Sequence, residues 1–383
     1  MNDSREPVSA PLTARPARGA AQRAWSGCTG LLPACALFAL VIACKTEDPS
    51  GPHDDQNPRT YLMGFAPTPP RAEEASIIRT AQGLAQVSEI TLVQQEVPWA
   101  VLLDGTQTME QALNERVQLV GFLRALGLRI VFLLDPLDGL DRRKEPPDLV
   151  ARGRSIREPQ IRVMHEQWAL EIARRLHPDW YGLASEINTL ADLGDPGLYA
   201  AVRAMINELA PQIGAASPGT QTFVSFQADQ AYGLPGFPRT IDHFQLLDDY
   251  DIDAIGLSTY PGFVLDYPAQ IPADFFQRFD QATDKPLLLV EGGWNSAPTA
   301  ITNGTPAEQA DFFRRMAALL DGVHARVWVF LMYADLDLAT FGLPPDREAG
   351  LANFSRMGIV DTAFHHKPAF AVWDSVHRRP IRD

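Results

Sequence analysis

The feature that most constrains this chain is a rhythm. From Tyr61 onward, eight short apolar runs alternate with longer amphipathic stretches. The runs cover residues 61–67, 89–95, 128–135, 180–186, 222–227, 253–260, 286–291 and 326–333, and most are rich in Val, Ile, Leu and Phe. Continuous apolar runs of that length suit strands buried on both faces, as in parallel sheets. Between them lie helical patterns at 110–126, 159–176, 198–213 and 306–320. In the last, Ala307, Ala310, Phe313, Met316 and Leu320 recur at helical spacing. Strands alternating with helices in this number predict a single (β/α)8 TIM barrel over residues 61–383. The rival, a doubly wound open sheet, calls for a glycine-rich turn after its first strand. Here that strand is followed by Pro67, Pro69 and Pro70, and no GxGxxG occurs.

The first sixty residues read differently. Arg5, Arg15, Arg18 and Arg23 precede an apolar run from Leu31 to Ala43, broken only by Pro33 and Cys35. That is the pattern of an export signal, too short to span a bilayer comfortably. Cys28, Cys35 and Cys44 are the only cysteines, so nothing beyond residue 44 can supply a disulfide or a thiolate metal site. The run ends Val41-Ile42-Ala43-Cys44, which resembles the lipobox of bacterial lipoproteins. The resemblance implies a signal peptide over 1–43, lipidation of Cys44, and attachment to the cell envelope through lipid alone. An ordinary signal peptide with a chance cysteine is the alternative. Residues 44–60, polar and rich in Pro and Asp, read as a flexible linker.

Charge narrows the partners. The net charge of −14 argues against nucleic acid, which needs a basic face. Neutral small molecules and uncharged polymers remain, and a monomer is the expected state.

In barrels of this kind the chemistry sits at the C-terminal ends of the strands. Those positions offer Gln94, Gln95 and Glu96 after the second run, and Asp135 after the third. Glu186 ends the fourth, Gln227 and Asp229 the fifth, Tyr260 the sixth and Glu291 the seventh. A carboxylate at the end of an apolar strand is costly to bury unless paired, so two of them, Glu186 and Glu291, point to function. None of the eight histidines ends a run, which counts against a metal-dependent hydrolase barrel. Asp248, Asp249, Asp251 and Asp253 read as a solvated loop rather than a calcium site. No GxSxG elbow occurs. No metal and no cofactor is expected.

Glutamates ending strands four and seven resemble the signature of the clan of retaining barrel glycoside hydrolases. Residues 253–261, DAIGLSTYP, look like the sixth-strand signature of endo-β-1,4-galactanases and some β-mannanases. Residues 288–296, LLVEGGWNS, are similar to the nucleophile strand of several such families, and Met357–Val360 followed by Lys367-Pro368-Ala369 resembles their closing segment. The resemblance implies hydrolysis of a β-linked neutral polysaccharide or oligosaccharide, with Glu186 as acid/base, Glu291 as nucleophile and Tyr260 as a hydrogen-bond donor to it. Ser185 stands where the clan has Asn; Asn188, two residues after Glu186, is either a substitute contact to the sugar or a residue that shapes the loop. No Arg ends strand two, and Trp328 lies early in strand eight, with Tyr333 and Asp335 nearer its end. These departures leave open a carbohydrate-binding lipoprotein without activity, and the same carboxylate pair would also serve a transglycosylase. Trp99, Phe263 and Trp294, in loops after strands, each read alone as loop packing, but three on one face are candidate sugar platforms. Gln227, Asp135 and Tyr333 complete the candidate substrate contacts.

Overall fold

The computed structural model describes residues 57–382. The signal-peptide and Cys44 readings, and the linker up to residue 56, lie outside the described residues.

Eight parallel strands close into one TIM barrel in chain order: β1 Leu62–Ala66, β2 Ile90–Glu96, β3 Arg129–Asp135, β4 Trp180–Gly182, β5 Gln221–Gln227, β6 Ala254–Thr259, β7 Leu287–Gly292 and β8 Ala325–Met332. All eight apolar runs become strands, and β8 pairs back onto β1. Helices Met109–Ala125, Pro159–Leu176, Pro196–Ala216 and Pro306–Leu320 cover the outside. The last begins for local reasons: Thr305 and Glu308 form a reciprocal capping box, and Pro306 occupies the first turn.

Strand alternation sorts side chains into two cores. Ile90, Leu92, Val131, Leu133, Phe223, Leu288, Val290, Val327 and Val329 fill the barrel. Met63, Phe65, Phe132, Phe226, Trp328 and Phe330 belong to the core beneath the helices. Phe223 fits inside because its neighbours are glycines. A Cβ at Gly182 would lie 2.6 Å from its ring, and one at Gly256 2.7 Å.

The N-terminal ends of the strands are stitched by carboxylates. Glu89, just before β2, accepts from the Met63 N–H of β1 at 2.9 Å. Asp179, before β4, accepts from Ile130 of β3 at 2.9 Å, and Asp253, before β6, from Thr222 of β5 at 2.7 Å. Each satisfies a strand-end donor. Glu89 also pairs with the buried guanidinium of Arg59. Arg59 donates in turn to the His377 carbonyl, tying the helix Pro368–His377 across the floor. Of the acidic run read as a solvated loop, Asp253 is thus a strand cap, and Asp249 is held by Arg203 at 3.0 Å and Tyr199 at 3.1 Å.

The fourth run departs from expectation at its end. Regular pairing stops at Gly182, although Leu183 N–H and Ser225 N–H still bond to Phe223 and Ala184 carbonyls at 2.9 and 3.0 Å. The ladder gives way where the Ser225 hydroxyl accepts the Glu186 N–H at 2.9 Å, a side chain taking the place of the next backbone partner. Glu186 then turns into the left-handed region, φ 48° and ψ 41°, and a short helix Ile187–Leu193 follows. That conformation costs a non-glycine residue about 1 kcal/mol.

Candidate active site

The two glutamates meet at the end of β6. In register, Ser258 of β6 pairs with Glu291 of β7, so their backbones lie about 4.8 Å apart. The Ser258 hydroxyl donates to Glu186 Oε1, so one residue lies beside one carboxylate and bonds the other. Two residues on, the Tyr260 hydroxyl donates to Glu291 Oε1 at 2.6 Å. Glu291 Oε2 is buried and has no hydrogen-bond partner among the described residues. Burial, then the neighbouring Glu186 charge, push the Glu291 carboxyl up to about 7. Both causes disfavour the ionised form, so the Glu291 carboxyl holds its proton toward neutral pH.

The cation of the site comes from a residue the strand-end reading passed over. Arg142, on the loop after β3, ion-pairs with Asp135 at 2.7 Å. The loop presents it through backbone hydrogen bonds between Asp138, Asp141 and Lys144, while the adjacent Arg143 and Lys144 are spent outward on Asp141. Burial works against the guanidinium charge, but the carboxylates of Asp135, Glu186, Glu291 and Glu96 outweigh it and keep Arg142 charged. Its field in turn opposes the rise at Glu291. No strand ends in this arginine and no periodic pattern marks it. Its only trace in the sequence is a run of three cations, Arg142-Arg143-Lys144, after an aspartate-rich turn.

A buried polar network holds both halves of the pair in place. Asn188, in the turn after Glu186, accepts from the Gln227 N–H at 2.7 Å and donates to the Gln227 carbonyl and to His243 Nδ1. That leaves His243 Nε2–H to donate to Asp192 at 2.9 Å. Gln227 donates from Nε2 to Asp229, which also accepts from the Thr259 hydroxyl at 2.7 Å and the Tyr260 N–H at 2.6 Å. Burial pushes the Asp229 carboxyl up to about 6 against these three donors. Tyr260 is wedged further by rings: Phe263 stacks on it at 5.3 Å and Phe354 meets it edge-on at 5.2 Å.

The other expected contacts sort themselves by orientation. Asn188 and Gln227 are buried and committed to this network, so neither amide faces a sugar. Ser185 is also buried, its hydroxyl accepting from Ser225 at 3.4 Å. Asp135 is buried, ion-paired with Arg142 and accepts from the Leu137 N–H. Trp99 does not stand at the surface: it begins the helix Trp99–Asp104 and stacks on His165 beneath it, 1% exposed. Tyr333 turns outward, because β8 ends at Met332 opposite a register shift at Phe65/Ala66, and packs on Phe65 with its hydroxyl against Gly83. Trp328 likewise faces out, onto Tyr61 and Trp373. Asp335 is held by Lys367, which also bonds Ser296 and the Gly358 carbonyl, so the closing segment locks the loop after β7 to the end of β8. Trp294 stacks on Phe312 and keeps only an edge for the cleft beside it.

No family model matches the chain, and no curated protein matches it in sequence. Solved structures do resemble it. A GH5_18 variant from Bifidobacterium longum subsp. longum, solved in complex with Manb1-4GlcNAc, superposes with a TM-score of 0.64 at 14% identity, over 84% of this chain and 80% of that one. An exo-beta-1,4-mannosidase from Opitutaceae bacterium strain TAV5 gives 0.63 at 15%, over 85% of this chain and 61% of the other. A beta-glycosidase gives 0.58 at 12%, over 80% and 86%. At these identities the likeness is one of fold.

Proposed function

We propose that this protein is a retaining β-glycosidase. Glu186 is the acid/base and Glu291 the nucleophile. The observation that carries the reading is the asymmetry within the pair. Tyr260 steadies one oxygen of Glu291, the other oxygen is bare, and Glu186 lies close enough to raise its pKa. In the first step the Glu186 carboxyl gives a proton to the glycosidic oxygen while Glu291, as the carboxylate, attacks the anomeric carbon through Oε2 and the leaving group departs. The glycosyl–Glu291 ester is then cleaved by water, whose proton returns to the Glu186 carboxylate. The fold relatives described as an exo-beta-1,4-mannosidase and as a complex with Manb1-4GlcNAc make β-mannosides the first substrates to try.

The test is the stereochemistry of the first-formed product from aryl β-glycosides, followed by NMR. Retention is expected; inversion, or no turnover of any β-glycoside, defeats the reading. Glu186→Ala should lose about 10²–10⁴ in rate on poor leaving groups and recover with azide as an external nucleophile. One observation favours a binding protein instead: the buried Ser185 hydroxyl leaves no amide beside Glu186 for a sugar hydroxyl. Oligosaccharide affinity unchanged by Glu291→Gln, in a parent without hydrolysis, would identify that case. Products longer than the substrate would identify a transglycosylase. For the N-terminal segment we keep export and a lipid anchor at Cys44, with the protein monomeric. Cys44→Ser should release it from membranes.

A further inference from the structure

Three consecutive residues at the end of β6 donate their hydroxyls to three different carboxylates: Ser258 to Glu186, Thr259 to Asp229 and Tyr260 to Glu291. Two of these are the catalytic pair. Asp229, just past the end of β5, has no part in the chemistry described so far, and it also accepts the Tyr260 N–H.

That second bond matters because Tyr260 makes the single hydrogen bond that the Glu291 carboxylate receives among the described residues. Phe263 and Phe354 set the plane of the tyrosine ring, but how far its hydroxyl reaches depends on the backbone that carries it. Here the chain leaves the strand: β6 ends at Thr259, and Tyr260 has φ −133° and ψ 58°. Its N–H goes to Asp229 Oδ2 at 2.6 Å, short as charge-assisted bonds are.

Asp229 is a costly residue for that task. It is fully buried, its donors are the Gln227 amide, the Thr259 hydroxyl and the Tyr260 N–H, and no Lys, Arg or His pairs with it among the described residues. Asparagine could make the same set, its carbonyl taking both N–H groups at the place of Oδ2 and its amide donating to Thr259, whose hydroxyl also accepts. It would do so without a buried charge. What the carboxylate adds is the strength of its bonds, and the neighbour it holds is the residue that touches Glu291.

We propose that Asp229 is a positioning residue for the nucleophile: by holding the Tyr260 N–H it keeps the tyrosine hydroxyl on Glu291 Oε1. The proposal rests on the glycosidase reading. It makes a side chain buried away from substrate a determinant of rate, acting from β5 through β6 on β7.

The test is a double-mutant cycle of Asp229→Ala with Tyr260→Phe, read as kcat/KM against pH on aryl β-glycosides. Tyr260→Phe should lose about 10–100-fold, the loss of a hydrogen bond to a charged group. Its low-pH limb should move up, because that bond lowers the Glu291 carboxyl and the nucleophile must be ionised. Asp229→Ala should lose about tenfold and move the limb the same way, yet cost less than about twofold once the Tyr260 hydroxyl is gone. The charges of Glu186, Arg142 and Asp135, which also act on Glu291, are unchanged in each variant. Asp229→Asn, which restores the acceptor, should recover most of the loss. Equal losses with and without the Tyr260 hydroxyl, or a limb that stays in place in Asp229→Ala, overturn the proposal and leave the glycosidase intact. Should Asp229→Ala not fold, Asp229→Asn carries the same comparison, with about a threefold loss that vanishes in Tyr260→Phe. If the parent cleaves nothing, the glycosidase reading fails. The positioning is then read from the carbon-13 shift of the Glu291 carboxyl during a pH titration, assigned by its disappearance in Glu291→Gln. A midpoint that Asp229→Ala raises only when the Tyr260 hydroxyl is present supports it; a midpoint that does not move removes it.

Discussion

The two ends of this barrel use the same residue types for opposite purposes. At the floor, Glu89, Asp179 and Asp253 each accept a strand N–H, and Glu89 and Asp179 also hold an arginine. Their charges are spent. At the top, Glu291 has one hydrogen bond and a bare oxygen, Glu186 sits in a strained conformation, and Arg142 spreads its charge over several carboxylates. The difference teaches where stability and reactivity have been separated. A satisfied carboxylate holds the fold and does no chemistry, while an unsatisfied one costs stability and is available to react.

The comparison is broken most directly by Glu291→Gln. Activity should fall at least ~10⁴-fold while the melting temperature holds or rises, because a buried charge without a full set of partners is gone. Loss of activity together with a collapsed melting curve would mean that the top, too, is structural. Glu89→Ala should do the reverse. It strands Arg59 in the floor, so chemical denaturation should show a loss of about 3–5 kcal/mol, with kcat per folded molecule unchanged.

Arg142→Met sharpens the picture of the top. Removing the cation should shift the lower limb of the kcat/KM–pH profile upward by about one unit, since Glu291 must be ionised to attack and Arg142 opposes the rise of its carboxyl. The buried Asp135 loses its partner in that variant, and adding Asp135→Asn should recover stability without reversing the pH shift. A profile that does not move would assign Arg142 to Asp135 alone.

The smallest effect is on stability. The Glu291 carboxyl rises from 4.5 to about 7 on folding, so the folded state binds the extra proton between those values. Its contribution is fully present below about pH 4.5 and is lost as the pH climbs through about 7. Melting curves of the parent should therefore show a downward slope across that window that Glu291→Gln lacks.

How much of this the sequence revealed follows from what each feature encodes. The barrel was legible because eight runs of the right length and spacing admit few other closures. The carboxylate pair was legible because an acidic residue after an apolar run has little structural reason to be there. Side-chain direction was not. Trp99 and Tyr333 each lie where the strand has just ended, and past that point alternation no longer says which way a ring turns. Asn188 was placed against the sugar on its distance from Glu186, but the helix starting at Ile187 turns it back onto Gln227. Arg142 escaped because a cation on an irregular loop carries no period at all.

The stitched floor also implies an order of assembly. Its three caps join β1 to β2, β3 to β4 and β5 to β6 across 26, 49 and 31 residues. The bonds that close the ring span far more: 286 residues from Trp373 to the Val87 carbonyl, and 318 from Arg59 to the His377 carbonyl. Loop closure costs more entropy as the span grows, so the pairs form first and the ring is sealed last. Until that seal is made, the growing sheet has open edges at β1 and at its latest strand; the pairing of β8 with β1 removes them, and the helix Pro368–His377 latches the closed ring from below.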